Sequence, residues 1–114
     1  MNKKQFGVWA ENLASQYLVK WGYQIIERNW RCRFGELDIV AIKGKIIHFV
    51  EVKARRSRRF GTGAEALTFT KINRLQAAIV GYLGGQTSQL WQLDLVVVEG
   101  RGQFYKIDYY PAIG

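Results

Sequence analysis

Cysteine, histidine and proline each occur only once in the 114 residues of this chain. With the single cysteine, Cys32, no internal disulfide can form, which is typical of proteins from reducing compartments. Zinc centres take several Cys or His ligands, so the lone His48 does not predict one. We expect Cys32 to be chemically inert and His48 to have a structural role. The one proline, Pro111, lies near the end, and no linker divides the chain.

Long apolar runs and acidic residues are also scarce. No segment approaches the ~20 consecutive apolar residues that cross a bilayer, and Glu11 and Asn12 interrupt what would be the apolar region of a signal peptide. We therefore expect a cytoplasmic protein with no membrane partner. Nine Asp and Glu stand against seventeen Lys and Arg, which gives a net charge of +8. This excess favours a polyanionic partner, and nucleic acid, with DNA first, is the leading candidate.

Length and pattern predict one α/β domain that covers residues 1–114. The predicted helices cover 3–21 and 70–83, with Gly22 and Gly84 as stops and Thr70 as the N-cap of the second. The predicted strands cover 23–32, 35–42, 45–54, 90–98 and 103–109, and 55–69 is predicted to be a loop. The order of elements is therefore α-β-β-β-α-β-β.

Two neighbouring strands carry charges among their apolar residues: Glu36 and Asp38 in one, Glu51 and Lys53 in the next. Side chains alternate along a strand, so the two members of each pair share a face. Whether both pairs share the same face depends on the hairpin turn.

A two-residue turn at Lys43-Gly44 would pair Ile42 with Lys45. Asp38 would then lie opposite Phe49, and Glu36 opposite Glu51. In that register all four charged side chains project from one face, and Asp38 and Glu51 are diagonal neighbours whose carboxylates can converge. A three-residue loop would instead put Asp38 and Glu51 on opposite faces, unless a bulge corrected it.

Three carboxylates on one half-apolar face repel one another, so something must offset their charge. Lys53 offsets part, and a divalent cation would offset more. Mg²⁺ is typically held by one or two carboxylates, waters and substrate phosphates. It lowers the pKa of a bound water and stabilises charge on phosphate, which a neighbouring lysine can assist. The simpler alternative is a salt-bridged, solvated sheet face, but the combined pattern favours a metal-dependent nuclease site.

Asp38 followed by Glu51-Val52-Lys53 resembles the PD-(D/E)xK nuclease superfamily, although no proline precedes Asp38. More closely, the chain resembles the YraN-like family of uncharacterised bacterial proteins, which are predicted endonucleases similar to archaeal Holliday junction resolvases. The resemblance covers nearly the whole chain. The matching stretches are Gly7-x-x-x-Glu11-x-x-Ala14, Gly22-Tyr23, Asn29-Trp30-Arg31, Gly35-Glu36-Leu37-Asp38, Phe49-Val50-Glu51-Val52-Lys53, Phe60-Gly61, Lys71 and Asp94.

The resemblance implies a restriction-endonuclease-like core, in which helices flank a central mixed sheet, and Mg²⁺- or Mn²⁺-dependent hydrolysis of DNA, including branched or junction DNA. It implies that Asp38 and Glu51 hold the metal, that the Val52 carbonyl adds a ligand and that Lys53 handles the attacking water. It also implies a helper role for Glu11, through a water, although the helical wheel alone equally allows a surface glutamate with no role. We add Glu36 as an accessory because it shares the strand face of Asp38. The sequence departs from the family at Gln92, where an arginine is common before Asp94.

The strand that carries Glu51 continues into a basic run. Arginine forks match phosphate geometry, so we expect Arg55, Arg56, Arg58 and Arg59, together with Lys71, to contact the nucleic-acid backbone. The bland alternative is a solubilising surface.

We assign the four tryptophans, Trp9, Trp21, Trp30 and Trp91, to core or interface packing rather than to base stacking. Two other kinds of protein stay open. One is a module of this fold that binds nucleic acid without cutting it. The other is a structural partner in a DNA-processing complex, and a homodimer is one form the protein could take.

Overall fold

A computed structural model describes residues 1–57 and 67–114. It has the predicted α/β class and element order. The helices are α1 (Lys3–Lys20) and α2 (Phe69–Leu83), and the strands are β1 (Gln24–Cys32), β2 (Gly35–Lys43), β3 (Ile46–Arg55), β4 (Leu90–Arg101) and β5 (Phe104–Tyr110). The predicted phosphate contacts Arg58 and Arg59 lie outside the described residues.

The five strands form one mixed sheet in the spatial order β1-β2-β3-β4-β5. The β3–β4 pair is parallel and the other three pairs are antiparallel. Because parallel neighbours need a crossover, α2 lies in the connection between β3 and β4. The sheet is thus the mixed sheet that the sequence resemblance implied.

The two helices cover opposite faces of the sheet. Leu75, Ile79 and Leu83 of α2 pack on one face with Phe49 and other buried residues. On the other face, α1 packs against the sheet through three fully buried residues, Ala10, Ala14 and Leu18. In residues 1–57 and 67–114, neither helix is both long enough and apolar enough to cross a bilayer.

Side chains at the helix starts fix where the helices begin. Asn2 and Gln5 form a capping box at α1, which satisfies two backbone N–H groups that lack partners within the helix. The N-cap of α2 is Thr68, whose side chain accepts a hydrogen bond from the Lys71 backbone N–H at 3.1 Å. The predicted cap, Thr70, is wrong by two residues because Phe69 and Thr70 already belong to the first turn.

The β2–β3 turn differs from the predicted one by a single residue. Lys43 pairs with Ile46, so the two loop residues are Gly44 and Lys45 rather than Lys43 and Gly44. Ile42 therefore pairs with Ile47 and not with Lys45. Gly44 has φ of 61°, which a residue without a Cβ adopts at no steric cost.

This shift also changes the partners predicted for the charged residues. Val40, not Asp38, lies opposite Phe49. Continuing the same register brings Asp38, and not Glu36, opposite Glu51. The loop still contains two residues, so each side chain stays on the face of the sheet that was predicted for it. Asp38 and Glu51 can therefore still converge.

β1 is an edge strand with two irregularities. The register with β2 shifts between Ile25 and Glu27, which leaves Ile26 as a bulge. Asn29 adopts a left-handed conformation with φ of 55°. Both features bend the strand away from regular pairing geometry.

A buried carboxylate, Asp94, ties the far end of the sheet together. Its oxygens accept hydrogen bonds from Gln92 Nε2 at 2.7 Å, the Tyr109 hydroxyl at 2.6 Å and the Ala112 backbone N–H at 2.8 Å. His48 Nδ1 lies 2.7 Å from Asp94 Oδ2. His48 thus has the structural role predicted for it, and Gln92 supplies one of the donors.

Candidate active site

The ladder between β2 and β3 ends before the strands do. The last pair is Ile39 with Val50, although β2 begins at Gly35 and β3 runs on to Arg55. Beyond this pair the two strands form a fork. The Val52 backbone N–H donates to Asp38 Oδ2 at 2.9 Å, so a carboxylate replaces the missing ladder partner.

The fork opens into a cavity of about 650 Å³. Residues from both helices and from β2 and β3 line it. Its acidic lining residues are Glu11, Glu36, Asp38 and Glu51, and its basic lining residues are Lys71 and Arg74. Four carboxylates from three separate elements therefore share one solvent space.

Glu51 is the most buried of these carboxylates, at 8% exposed. Burial raises the pKa of Glu51 from 4.5 to about 8, helped by the negative charge of Asp38 and by the hydrogen bond between the two carboxyl groups. Lys71 Nζ lies 3.4 Å from Glu51 Oε1 and opposes part of that rise. At neutral pH the Asp38–Glu51 pair therefore holds a proton, and a bound cation would take the place of that proton.

Glu11 reaches the same cavity from α1. Burial raises the pKa of Glu11, and the charge of Asp38 raises it further. The Asn29 side chain lies between Glu11 and Glu36, 2.8 Å from Oε1 of each, and these acceptors require its amide nitrogen to face them. Sequence reasoning missed Asn29 because its role depends on its left-handed backbone, which asparagine tolerates better than most residues.

Two lysines of the predicted site differ in their position relative to Glu51. Lys71, predicted to contact nucleic acid, lies against Glu51. Lys53 is exposed and is not among the residues that line the cavity. It follows Glu51 by two positions on β3 and so leaves the strand on the same side. Lys71 is therefore the lysine that the folded chain brings to the carboxylates.

The remaining described residues of the predicted site are Val52, Arg55 and Arg56. Val52 lines the cavity. Arg55 Nε donates to the Ser57 carbonyl at 2.7 Å, and the Arg56 guanidinium lies 4.6 Å from the centroid of the Phe6 ring. Cys32 packs at the edge of the core beneath α2.

The donor set suits a hard cation that keeps part of its hydration shell. In residues 1–57 and 67–114, no three acidic, His or Cys side chains are grouped closely enough to enclose an ion by themselves. Asp38 and Glu51 adjoin each other, while Glu11 and Glu36 are bridged by Asn29. Mg²⁺ is commonly bound by one or two carboxylates with waters and phosphate oxygens, and the Asp38–Glu51 pair fits that pattern.

Comparison with known sequences gives the family of this chain. The model of the uncharacterised protein family UPF0102 matches residues 10–98. A UPF0102 protein of Caldicellulosiruptor bescii is 41% identical over 113 residues, which cover 95% of each chain. Another, from Syntrophomonas wolfei, is 54% identical over 80 residues, or 70% of each chain. The matched region contains the fork, the cavity carboxylates and Asp94, and the chain belongs to the UPF0102 family.

Proposed function

We propose that this protein is a Mg²⁺-dependent endonuclease that hydrolyses phosphodiester bonds of DNA. The observation that carries the proposal is the Asp38–Glu51 pair. Two adjoining carboxylates line an open cavity, and burial and mutual repulsion raise the pKa of Glu51 to about 8. Perturbed carboxyl groups in a cleft are typical of functional sites.

Asp38 and Glu51 would hold the metal, with Glu11 acting through a water, the Val52 carbonyl as a further ligand and Glu36 as an accessory. The bound ion would polarise the phosphate and lower the pKa of a water molecule. Lys53 would orient the attacking water. Hydrolysis would form a new P–O bond and break the bond to the leaving oxygen, which would take up the proton that the water gives up.

The chain supplies positive charge on both sides of this pair. Lys71 and Arg74 line the cavity from α2, and Arg55 and Arg56 extend the basic surface from the end of β3. Lysine or arginine at this position can stabilise charge that develops on phosphate. Lys71, which lies 3.4 Å from Glu51, and Lys53 would share this task.

One observation favours the alternative of a binding module that does not cut. Lys53, the lysine of the sequence motif, is exposed and lies outside the cavity lining. In that case the basic surface would bind nucleic acid, and the carboxylates would hold a cation only for stability.

The test is a cleavage assay on linear, nicked, flapped and four-way DNA with Mg²⁺, Mn²⁺ or EDTA. We expect products only with a divalent cation and none from Glu51→Gln. The matched control is Glu27→Gln, which removes an exposed carboxylate of β1 outside the cavity lining. Absence of cleavage of all four substrates by the folded wild-type protein, with DNA binding retained, would establish the alternative.

A further inference from the structure

Four side chains form a continuous row of ring contacts, and we call them the aromatic ladder: Arg56, Phe6, Trp9 and Tyr105. The Arg56 guanidinium lies 4.6 Å from the Phe6 ring centroid. Phe6 and Trp9 stack with centroids 5.3 Å apart and an interplanar angle of 12°. Trp9 meets Tyr105 edge to face at 6.2 Å.

The ladder joins three elements that are distant in sequence. Phe6 and Trp9 lie on the first turns of α1, Arg56 directly follows β3, and Tyr105 lies on β5. Trp9 Nε1 also donates to the Gly102 carbonyl in the β4–β5 turn at 3.2 Å. These contacts fix the ring of Trp9 before any ligand binds, which lowers the entropic cost of binding.

The ladder is connected to the cavity through α1 and the end of β3. Phe6 and Trp9 directly precede the lining residues Gly7 and Ala10. Arg56 follows the lining residue Ala54 by two positions. Phe6 precedes Glu11 by five residues, which is about 7.5 Å along the axis of α1.

The open end of the ladder exposes aromatic surface that the fold does not bury. Tyr105 is 46% exposed, and its neighbour Phe104, which leaves the end of the β4–β5 hairpin on the other face, is 85% exposed. Exposed basic residues occur near the ladder along the chain. Arg101 pairs with Phe104 across the hairpin, Lys106 follows Tyr105, and Lys3 and Lys4 precede Phe6 on α1.

Aromatic rings among cations match one ligand chemistry in particular. A single strand of DNA offers free base faces together with a phosphate backbone, and base-on-ring stacking with a basic groove is how such strands are commonly bound. The bases of a duplex are stacked on one another and offer only their edges. The excess of Lys and Arg near these rings favours a polyanionic partner over a neutral one.

We propose that the aromatic ladder and Phe104 bind unpaired bases of single-stranded DNA next to the cavity. This inference rests on the proposed function only for what happens to that strand in the cavity. It also changes the role expected of Trp9, which the sequence alone assigned to packing. A substrate with an unpaired segment would then bind more tightly than an uninterrupted duplex.

Binding in EDTA tests the inference without any need for cleavage. The probe is a short fluorescein-labelled oligodeoxythymidine, compared by anisotropy with a labelled duplex of equal length. The double variant Phe104→Leu/Tyr105→Leu keeps apolar bulk and removes two ring faces. We expect it to weaken single-strand binding at least about fivefold for each base that no longer stacks on a ring, while duplex binding changes less than about twofold.

The matched control is Trp21→Leu, because Trp21 is an exposed ring at the other end of α1, about 18 Å from Trp9 along the helix axis. It should leave both affinities unchanged. Loss of affinity in this control equal to that of the double variant, or no loss in the double variant, would overturn the inference.

Tryptophan fluorescence gives a second readout that tolerates a conservative change. Oligodeoxythymidine should quench part of the emission of the wild type, and Trp9→Phe should remove that quenching while Trp21→Phe retains it. Quenching that persists in folded Trp9→Phe contradicts the inference. The outcome is independent of the cleavage assay, because a protein that binds single strands through the ladder but cuts nothing refutes only the proposed function.

Discussion

Two buried carboxylates in adjacent strands have opposite surroundings. Asp94 pairs with Val50 in the β3–β4 ladder and Glu51 pairs with Leu95, so they occupy successive positions and leave opposite faces of the sheet. Asp94 is fully buried and has four hydrogen-bond partners. Glu51 is nearly as buried, yet it faces a second carboxylate and one lysine.

The two surroundings distinguish a buried carboxylate that holds the fold together from one that is open to a ligand. A buried carboxylate whose oxygens are fully hydrogen-bonded contributes to the fold and has no free lone pair for a ligand. A buried acid beside another acid costs stability unless something else binds. Variants of these carboxylates and of their partners test whether the two have different roles.

Removal of the Asp94 carboxylate should be the most damaging change to the fold. Asp94→Ala leaves His48, Gln92, Tyr109 and the Ala112 N–H without their shared acceptor. We expect the free energy of unfolding to fall by about 3–5 kcal/mol, a large part of the stability of a small domain. Urea denaturation followed by circular dichroism measures this, and a loss below about 1 kcal/mol would mean that the network is not structural.

Asp38→Asn should have the opposite effects: a loss of cleavage without a loss of stability. If the protein cleaves DNA, we expect the rate to fall at least about a thousandfold, which corresponds to about 4 kcal/mol of barrier. Binding should persist, because it comes mainly from Lys and Arg contacts to phosphate. Stability should be unchanged or higher, since the Asn oxygen can still accept from Val52 and the repulsion with Glu51 is gone. Equal loss of cleavage and binding in a folded variant would contradict this division of roles.

The pH dependence of stability should report Glu51. Its pKa is about 8 in the folded protein against an ordinary value of 4.5, so the folded state binds a proton that the unfolded chain releases. The contribution of Glu51 is therefore complete below pH 4.5 and is lost as pH rises towards and through 8. Glu51→Gln should remove this decline and be more stable than wild type above pH 8, by on the order of 2 kcal/mol.

Thermal unfolding at pH 5 and pH 9 measures that difference, and Glu27→Gln is the matched control. Saturating Mg²⁺ should stabilise the wild type at pH 9 by mass action and leave Glu51→Gln unaffected. A stabilisation of equal size in both proteins would place the cation elsewhere.

Among these variants, Tyr109→Phe should have the smallest effect on the free energy of unfolding. It removes one of four partners of Asp94 and leaves the others in place. We expect a loss of about 1 kcal/mol, with no change in DNA binding or cleavage. A change in cleavage with normal stability would link the Asp94 network to the cavity.

The element order could be predicted from sequence because hydrophobic periodicity and glycine stops are local signals. The turn was displaced by one residue because Lys43-Gly44 and Gly44-Lys45 are both two-residue options. The fork could not be predicted, because the alternation of apolar and polar residues does not indicate where the pairing of two strands ends. The proximity of Asp38 and Glu51 survived this error because both turns keep the same parity.

The position of Lys71 beside Glu51 could not be predicted from the motif. Glu51-Val52-Lys53 is local, whereas Lys71 is twenty positions from Glu51 and reaches it only because Thr68 begins α2 beside the cavity. The Asp94 network was missed for a similar reason. His48, Gln92, Tyr109 and Ala112 converge through the parallel β3–β4 pairing and the C-terminal residues.

The irregular course of β1 has a consequence for self-association. A straight edge strand offers its free N–H and C=O groups as a template for another chain, and this is a common route to aggregation. The bulge at Ile26 and the left-handed Asn29 interrupt that template. Continuous edge-to-edge pairing of two copies along β1 would require both to straighten, which would also withdraw Asn29 from Glu11 and Glu36. Asn29, which bridges two carboxylates of the cavity, thereby also interrupts edge-to-edge pairing of the sheet.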